Sequence, residues 1–570
     1  MTTAPTVDEQ PLWFGPTGRP MFGLMATPAD GAARGGVLLA PTIGREARAS
    51  RRAFRRTALA LADLGFVTLR FDYACTGDAG GTIDDPDLDR AWVESVGEAA
   101  SLLRSCAITR LSAIGMRLGA TVVATATDAF DLDLSSFVLW DPCETGRGYL
   151  RELSALEALR REHVDWEADG SVVTTEYVFP EQAAADLRRL RLAAVERSPM
   201  AERLLVLTRP DRAVTDSLRA RLSQERCEWG VADDQAAMLD VDPLEAWNPT
   251  ATIERVVEWV AAEPEERTAI KDPADPRRSI VLREGTAEVV ERTERIGESG
   301  LFGIVTEPRR GATGPLVVFI SVSNEEHTGP SRLWVELSRR WAAAGLQCVR
   351  FDLHGLGDSP WLPEEREPKM YDQRWLADGV EVATALRPAD PSDTVFVGLC
   401  SGAYLAVGAG RALRPRGVAV INPPIGIDFL DGTYRIGASR LAPVRALAPL
   451  LKEFALRLRW VAVAIWHVLR VILPPVFGGD VLSDVASGGT DLFVLATTED
   501  LSPSNRSRRF KRFFSKRLVA PRNYEVRFVE GLDHAMHDAI GRTRAIAMLD
   551  AHILERYAQP LGAADDKERK

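Results

Sequence analysis

Cysteine and histidine are scarce in this chain. Its 570 residues include six cysteines, Cys75, Cys106, Cys143, Cys227, Cys348 and Cys400, scattered without paired or metal-type spacing. That pattern speaks against a disulfide framework and reads as reduced thiols in a cytoplasmic protein. The seven histidines show no His-x-x-x-His spacing with a nearby acid. His534 and His537 could ligate a metal, but no third ligand stands with them, so no metal centre is expected. No Gly-x-Gly-x-x-Gly opens a helix after the first strand, which leaves a nucleotide cofactor unsupported, and no cofactor is expected. The amino terminus, Met1 to Gln10, has no basic segment followed by an apolar run, so no secretory signal is expected. Positive charge is not in excess: 70 lysines and arginines face 81 acids, a net charge of −11, which gives no reason to expect nucleic acid as a partner. Long hydrophobic runs are missing as well. Leu456 to Val476 comes nearest, but Arg457, Arg459, His467 and Arg470 interrupt it and Pro474-Pro475 ends it. It falls short of the roughly 20 mostly uncharged residues of a membrane-spanning helix.

What the chain does have is an internal repeat. Phe22-Gly23 and Pro28 answer to Phe302-Gly303 and Pro308, Glu46 to Glu326, Gly65 to Gly345, and Arg70-Phe71-Asp72 to Arg350-Phe351-Asp352, each pair 280 apart (351 minus 71, for example). A constant offset over some fifty residues predicts two complete modules in tandem. Length agrees, because 570 residues exceed the size of about 250 to 300 at which single cores stop growing. The charged, proline-bearing stretch from Glu263 to Arg278 marks the seam in sequence.

In the second module, Gly398 to Gly402 reads Gly-Leu-Cys-Ser-Gly, follows the strand-like run Asp393 to Val397, and opens the helix-like run Ala403 to Leu413. This is the setting of a nucleophile elbow, in which flanking glycines clear space so that the central residue, here Cys400, points into a pocket. The competing reading is an inert core cysteine. A thiol of ordinary pKa, about 8.5, is already a few per cent thiolate at neutral pH, and a neighbouring imidazole raises that fraction.

The box and its setting resemble the α/β-hydrolase superfamily. The Gly-x-Cys-x-Gly form is similar to that of dienelactone hydrolases and polyhydroxyalkanoate synthases, which implies acyl chemistry through a thioester. Turns such as Thr328 to Trp334 and Leu139 to Pro142 resemble those of serine-aminopeptidase-like hydrolases of bacterial biosynthetic and exopolysaccharide clusters. The superfamily orders its triad nucleophile, acid, histidine. After Cys400, the strand-like run from Leu492 ends at Glu499 and Asp500, and Tyr524 to Val529 leads into Gly531-Leu-Asp-His534. The resemblance therefore implies Cys400 as nucleophile, His534 as base and Asp500 as orienting acid, with Glu499 as the alternative acid and His537 as a structural neighbour. It further implies an oxyanion hole from the backbone N–H of Ser401 and one from the loop Ser321 to Pro330, at Val322 or Ser323. His327, in that loop, is open between substrate contact, helix entry and surface. Phe351 to Ser359 resembles a turn that is structural in the superfamily, so His354 is expected to do no chemistry.

The first module keeps the elbow but not the chemistry. Thr109 to Ile114 runs into Gly115-Met-Arg-Leu-Gly119, and the counterpart of the histidine turn, Gly230 to Leu244, holds no histidine. A guanidinium stays protonated and cannot attack a carbonyl, so this half is expected to be catalytically silent. Asp211 follows the acid strand, Leu204 to Leu207, without evident partners. Arg117 is open between anion binding, to a carboxylate or phosphate, and an internal salt bridge to Asp141 or Asp211; the salt bridge is preferred.

Between Pro423-Pro424 and the acid strand, Arg435, Arg440, Arg445, Arg457, Arg459 and Arg470 alternate with apolar runs. Here the superfamily inserts its cap. An apolar lid over an acyl-chain pocket is preferred; an interfacial helix carrying Trp460 and Trp466, and a basic face for an acidic carrier protein or the phosphates of coenzyme A, stay open. A second basic run, Arg506 to Arg517, carries Phe510, Phe513 and Phe514 as an apolar stripe. The expected architecture is thus α/β, two tandem α/β-hydrolase modules with doubly wound, mostly parallel sheets: residues 1–262, a linker 263–290, a second module 291–560 with a cap over about 423–488, and a tail 561–570. The expected function is acyl hydrolysis or acyl transfer on an ester, lactone or thioester of a small-molecule substrate, with a non-catalytic binding or scaffold protein as the rival.

Overall fold

The computed structural model describes residues 7–160, 170–322, 325–361, 374–423, 481–497, 523–537 and 539–558, apart from single positions at 175, 213, 224, 242, 244, 245, 263 and 265. Two large sheets organise it. The first contains β1 (Val7–Phe14), β2 (Met21–Pro28), β3 (Gly35–Ala40), β4 (Phe66–Phe71), β5 (Leu111–Met116), β6 (Leu134–Trp140), β7 (Arg203–Thr208) and β8 (Cys227–Val231), in the order β1-β2-β4-β3-β5-β6-β7-β8. The second contains β9 (Ser279–Glu284), β10 (Ala287–Ile296), β11 (Leu301–Pro308), β12 (Leu316–Ile320), β13 (Gln347–Phe351), β14 (Thr394–Leu399), β15 (Gly417–Ile421), β16 (Asp491–Thr497) and β17 (Tyr524–Val529), in the order β9-β10-β11-β13-β12-β14-β15-β16-β17. From β4 to β8 and from β13 to β17 every pairing is parallel. Central strands such as β12, Leu-Val-Val-Phe-Ile, are apolar and buried at every position, as a strand covered on both faces must be. The two sheets repeat one strand order, and β2 and β11 have bounds 280 apart, so the α/β architecture in two modules follows the offset seen in the sequence.

The expected linker needs correction. β9 and the start of β10 lie inside 263–290 and pair into the second sheet. Ile280 and Leu282 alternate with exposed Val281 and Arg283, a period of two that the surrounding charges mask in the sequence. The preceding segment is laid along the first module: Thr268–Ala269 pairs with Ala32–Ala33, Ile270 N donates to Gly31 O at 2.9 Å, and Trp13 and Arg277 exchange backbone hydrogen bonds.

The two modules dock through equivalent residues. Arg70 on β4 pairs with Glu9 of its own module at 2.6 Å and with Asp358 of the other at 2.7 Å. Arg350 on β13 pairs with Glu291 of its own module at 2.9 Å and with Asp78 of the other at 3.0 Å. Arg350 and Asp358 stand 280 beyond Arg70 and Asp78, so the contacts are reciprocal, as in the isologous interface of a twofold dimer. On the pseudo-axis Phe22 meets its own counterpart, Phe302, with ring centroids 6.3 Å apart. Trp13, Leu24, Ile280, Val289 and Ile304 complete an apolar cluster shared by both halves.

His327 breaks the symmetry, for its counterpart is Ala47. Neither on the surface nor open to substrate, it is fully buried between Asp352 of its own module, 3.0 Å from Nδ1, and Asp78 of the other, 2.7 Å from Nε2. Burial lowers the proton affinity of the ring, but Asp352 and Asp78 outweigh it and raise its pKa well above the ordinary 6.5. Because the folded value exceeds the unfolded one, the stabilisation is complete below about pH 6.5 and is lost as pH rises through the folded value. The same Asp78 is held well below the usual carboxylate range: burial works to raise it, but His327 and Arg350 overcome that. Its contribution is present above about pH 4 and lost below. Melting temperature is therefore expected to peak between those limits, and His327→Gln to flatten the alkaline limb. An unchanged limb in that variant would remove the seam histidine as its cause.

Among the described residues no helix is long and apolar enough to cross a membrane; Leu456 to Val476, the rest of the expected cap up to residue 480 and the run Arg506 to Arg517 lie outside them. All six cysteines are free thiols.

Candidate active site

In a parallel sheet the carboxyl ends of the strands form one rim, and loops leaving that rim converge. Val322 follows β12, Cys400 follows β14, and His534 follows β17, so the topology brings these three candidates to the same rim. Asp500 and Glu499 follow β16 but lie, with Ser323, outside the described residues.

Cys400 sits between β14 and the helix Ser401–Leu413, with φ 51° and ψ −115°. A side chain in this left-handed region is strained and persists only where its surroundings enforce it. They do so here. Cys400 N donates to Ile421 O at 2.9 Å, and Cys400 O accepts from Ala403 N at 3.0 Å. The flanking glycines are required by backbone, since a Cβ on Gly398 would lie 2.3 Å from Gly402 O and one on Gly402 would lie 2.4 Å from Ile320 O. The thiol is only half-buried, unlike that of Cys348. Ser401 is buried immediately behind it. Val322 is also buried, and its carbonyl accepts from Glu325 N at 2.7 Å.

His534 is half-buried on the turn after β17. Its carbonyl accepts from Asn422 Nδ2 at 2.8 Å, and Asn422 Oδ1 accepts from Thr497 N at 2.8 Å. One amide thus clamps the ends of β15 and β16 to the histidine turn. Asn422 is not among the candidates read from the sequence. The signal was an asparagine between a strand and Pro423-Pro424, where its φ of 45° is one that asparagine tolerates. His354 braces its own turn, with Nδ1 2.6 Å from Asp378 Oδ1. His537 is buried beside Asp533 and Arg48; among the described residues no group of three or more side chains is placed to hold a metal ion.

The elbow of the first half has the same backbone. Arg117 shows φ 52° and ψ −119° and precedes the helix Leu118–Ala129, and its N donates to Trp140 O at 2.9 Å. Its side chain turns inward, 3 % exposed. Nε donates to Glu46 at 3.0 Å, Nη1 to Asp141 at 3.2 Å and Nη2 to Glu152 at 2.8 Å. The anion-binding alternative is corrected by this geometry, because all three nitrogens already face carboxylates of the protein. Asp141 is the partner expected from the sequence, whereas Asp211 has one of its own, Arg209, through two hydrogen bonds of 2.9 Å.

Residues 323–545 match the model of the Alpha/beta hydrolase family. The match lies within the carboxy-terminal half, over the segment that holds the Cys400 elbow and the histidine turn. Solved structures similar to the chain include an α/β serine hydrolase without lid from Xanthomonas campestris, at 16 % identity over 50 % of this chain and 97 % of that one, with a TM-score of 0.29. The α/β hydrolase GrgF from Penicillium sp. sh18 shares 17 % identity over 47 % of this chain and 98 % of that one, with a TM-score of 0.31. Est1E from Butyrivibrio proteoclasticus shares 12 % identity over 44 % and 97 %, with a TM-score of 0.33. No curated protein matches the chain.

Proposed function

We propose that the carboxy-terminal half is an acyl hydrolase or acyltransferase that works through an acyl-enzyme on Cys400. The observation that carries this reading is a half-exposed thiol on the strained, glycine-flanked turn, where the same turn in the first half buries its salt-bridged Arg117. In the proposed cycle the imidazole of His534, oriented by Asp500 or Glu499, takes the Sγ proton. The thiolate attacks the carbonyl carbon of an ester, lactone or thioester, and the carbonyl electrons move to oxygen. Backbone N–H groups of Ser401 and of Val322 or Ser323 receive that oxyanion. Collapse re-forms the carbonyl and expels an alkoxide or thiolate, which takes the proton from the imidazolium. Water or another nucleophile, deprotonated by His534, then releases the acyl group from sulfur. A substrate linked to coenzyme A or a carrier protein would suit the arginine-rich segments 435–470 and 506–517.

The test uses p-nitrophenyl acetate and butyrate together with an acyl thioester. Wild-type protein is expected to turn these over and to carry an acyl adduct on Cys400 by mass spectrometry. Cys400→Ala is expected to lose the adduct and at least about 1,000-fold in rate. Full turnover in that variant would dismiss the mechanism; no adduct and no turnover in the wild type would leave a binding or scaffold protein.

A further inference from the structure

Arg48 belongs to the helix Gly44–Asp63 of the first half, yet its guanidinium reaches the histidine turn of the second. Its Nε lies 2.8 Å from Glu176 Oε1, and its Nη1 donates to Glu325 Oε1 and to His537 Nε2, the latter at 3.0 Å. Arg542 closes the cluster from the other side. Its Nη1 donates to the carbonyls of Met536 and His537 at 3.3 and 3.2 Å, and its Nη2 to the carbonyl of Glu176 at 3.0 Å. The side chains of Arg48, Glu176, Glu325 and His537 are 14, 3, 6 and 6 % exposed, so these contacts are shielded from water. Glu325 stands three residues after Val322, and His537 three residues after His534. First-half residues therefore grip both segments that flank the proposed site.

The contact also places His537. Its Nε2 lies 3.0 Å from Arg48 Nη1 and 4.0 Å from Glu325 Oε1, and its Nδ1 faces Asp533 Oδ2 at 3.4 Å. Burial and the Arg48 charge work against a proton on the ring, but Asp533 and Glu325 outweigh them and raise its pKa above the ordinary 6.5. The ring is held between two acids and a guanidinium from the other half, which fixes the turn three residues after His534.

We propose that Arg48 is a positioning residue supplied by the catalytically silent half, seating the turn that carries His534. This rests on the Cys400 and His534 reading above. The test follows the pH dependence of Cys400 alkylation by iodoacetamide in the full chain, by peptide mass, for wild type, Arg48→Met, Arg48→Lys and Arg70→Met. Arg70 is a seam arginine of the same kind, paired with Glu9 and Asp358; its loss is expected to lower melting temperature and leave the pH profile in place. Arg48→Met is expected to slow alkylation at pH 7 by about 10-fold relative to Arg70→Met and to move the profile to higher pH, with Arg48→Lys between. Coincident profiles for Arg48→Met and Arg70→Met would overturn the proposal. Nitrogen-15 NMR of the histidine rings gives a second readout. The signals lost in His534→Gln should shift in Arg48→Met and hold in Arg70→Met, and signals that hold in both would also overturn it. If wild-type Cys400 alkylates no faster than a thiol of the denatured chain, the acyl-enzyme reading fails while the ring readout still decides the role of Arg48. Should Arg48→Met not fold, Arg48→Lys carries both comparisons.

Discussion

Arg117→Met is expected to destabilise the protein by about 4 kcal/mol at pH 7, as loss of one partner of a buried ion cluster does, and by much less near pH 4. Methionine fills the space, so the effect is one of charge. Glu46, Asp141 and Glu152 converge on the guanidinium from three directions, and without it only Arg212, which reaches Glu152, remains among the described residues to offset them. Burial already raises the pKa of Asp141 although Arg117 opposes it. Deleting the cation leaves that carboxyl to protonate on folding at neutral pH, at a cost that grows by about 1.4 kcal/mol for each pH unit above its unfolded value. Below about pH 4 the acids are largely protonated in both states and the penalty fades. Urea titrations at pH 7 and pH 4 check this. An equal loss at both would assign the effect to packing instead.

Asp78→Ala is expected to cost about 3 kcal/mol, the lower end of the range for breaking a buried pair. Asp78 is fully buried and shared by Arg350 and His327. The figure stays at the lower end because Arg350 keeps Glu291 and His327 keeps Asp352. The loss should grow on acidification from pH 8 to pH 6, since the variant stabilises a protonated His327 less than the wild type does. Differential scanning calorimetry over that range reads both features, and a pH-independent loss would remove His327 from the account.

Much of this was legible in the chain. The offset of 280 and the two elbows follow local rules: a strand, glycines around a strained residue, then a helix. Those rules leave the same mark wherever the segment lies in the fold. The pairing of Arg70 with Asp358 and of Arg350 with Asp78 was not legible, although all four residues fall on the repeat. Which faces meet depends on two sheets docking, and no local period records that. The alternation of Ile280 and Leu282 was hidden among charges for a related reason, because an edge strand exposes every second residue. Asn422 acts through contacts 75 and 112 residues distant in sequence, and Arg48 through contacts to Glu325 and His537 277 and 489 residues away. Arg117 was half legible: its inability to attack a carbonyl follows from its chemistry, but the three acids around it become neighbours only through the fold. The acid candidates Asp500 and Glu499 and most of the expected cap lie outside the described residues.

In a dimer of identical subunits any substitution on the shared face occurs twice, and both copies must tolerate it. Covalent tandem arrangement lifts that restriction, since each half carries its own codons. Ala47 opposite His327, and a guanidinium where the other half keeps a thiol, are divergences that only such a fused pair can hold. One half can then specialise in bracing while the other keeps a half-exposed thiol, within a single polypeptide and at a fixed one-to-one ratio.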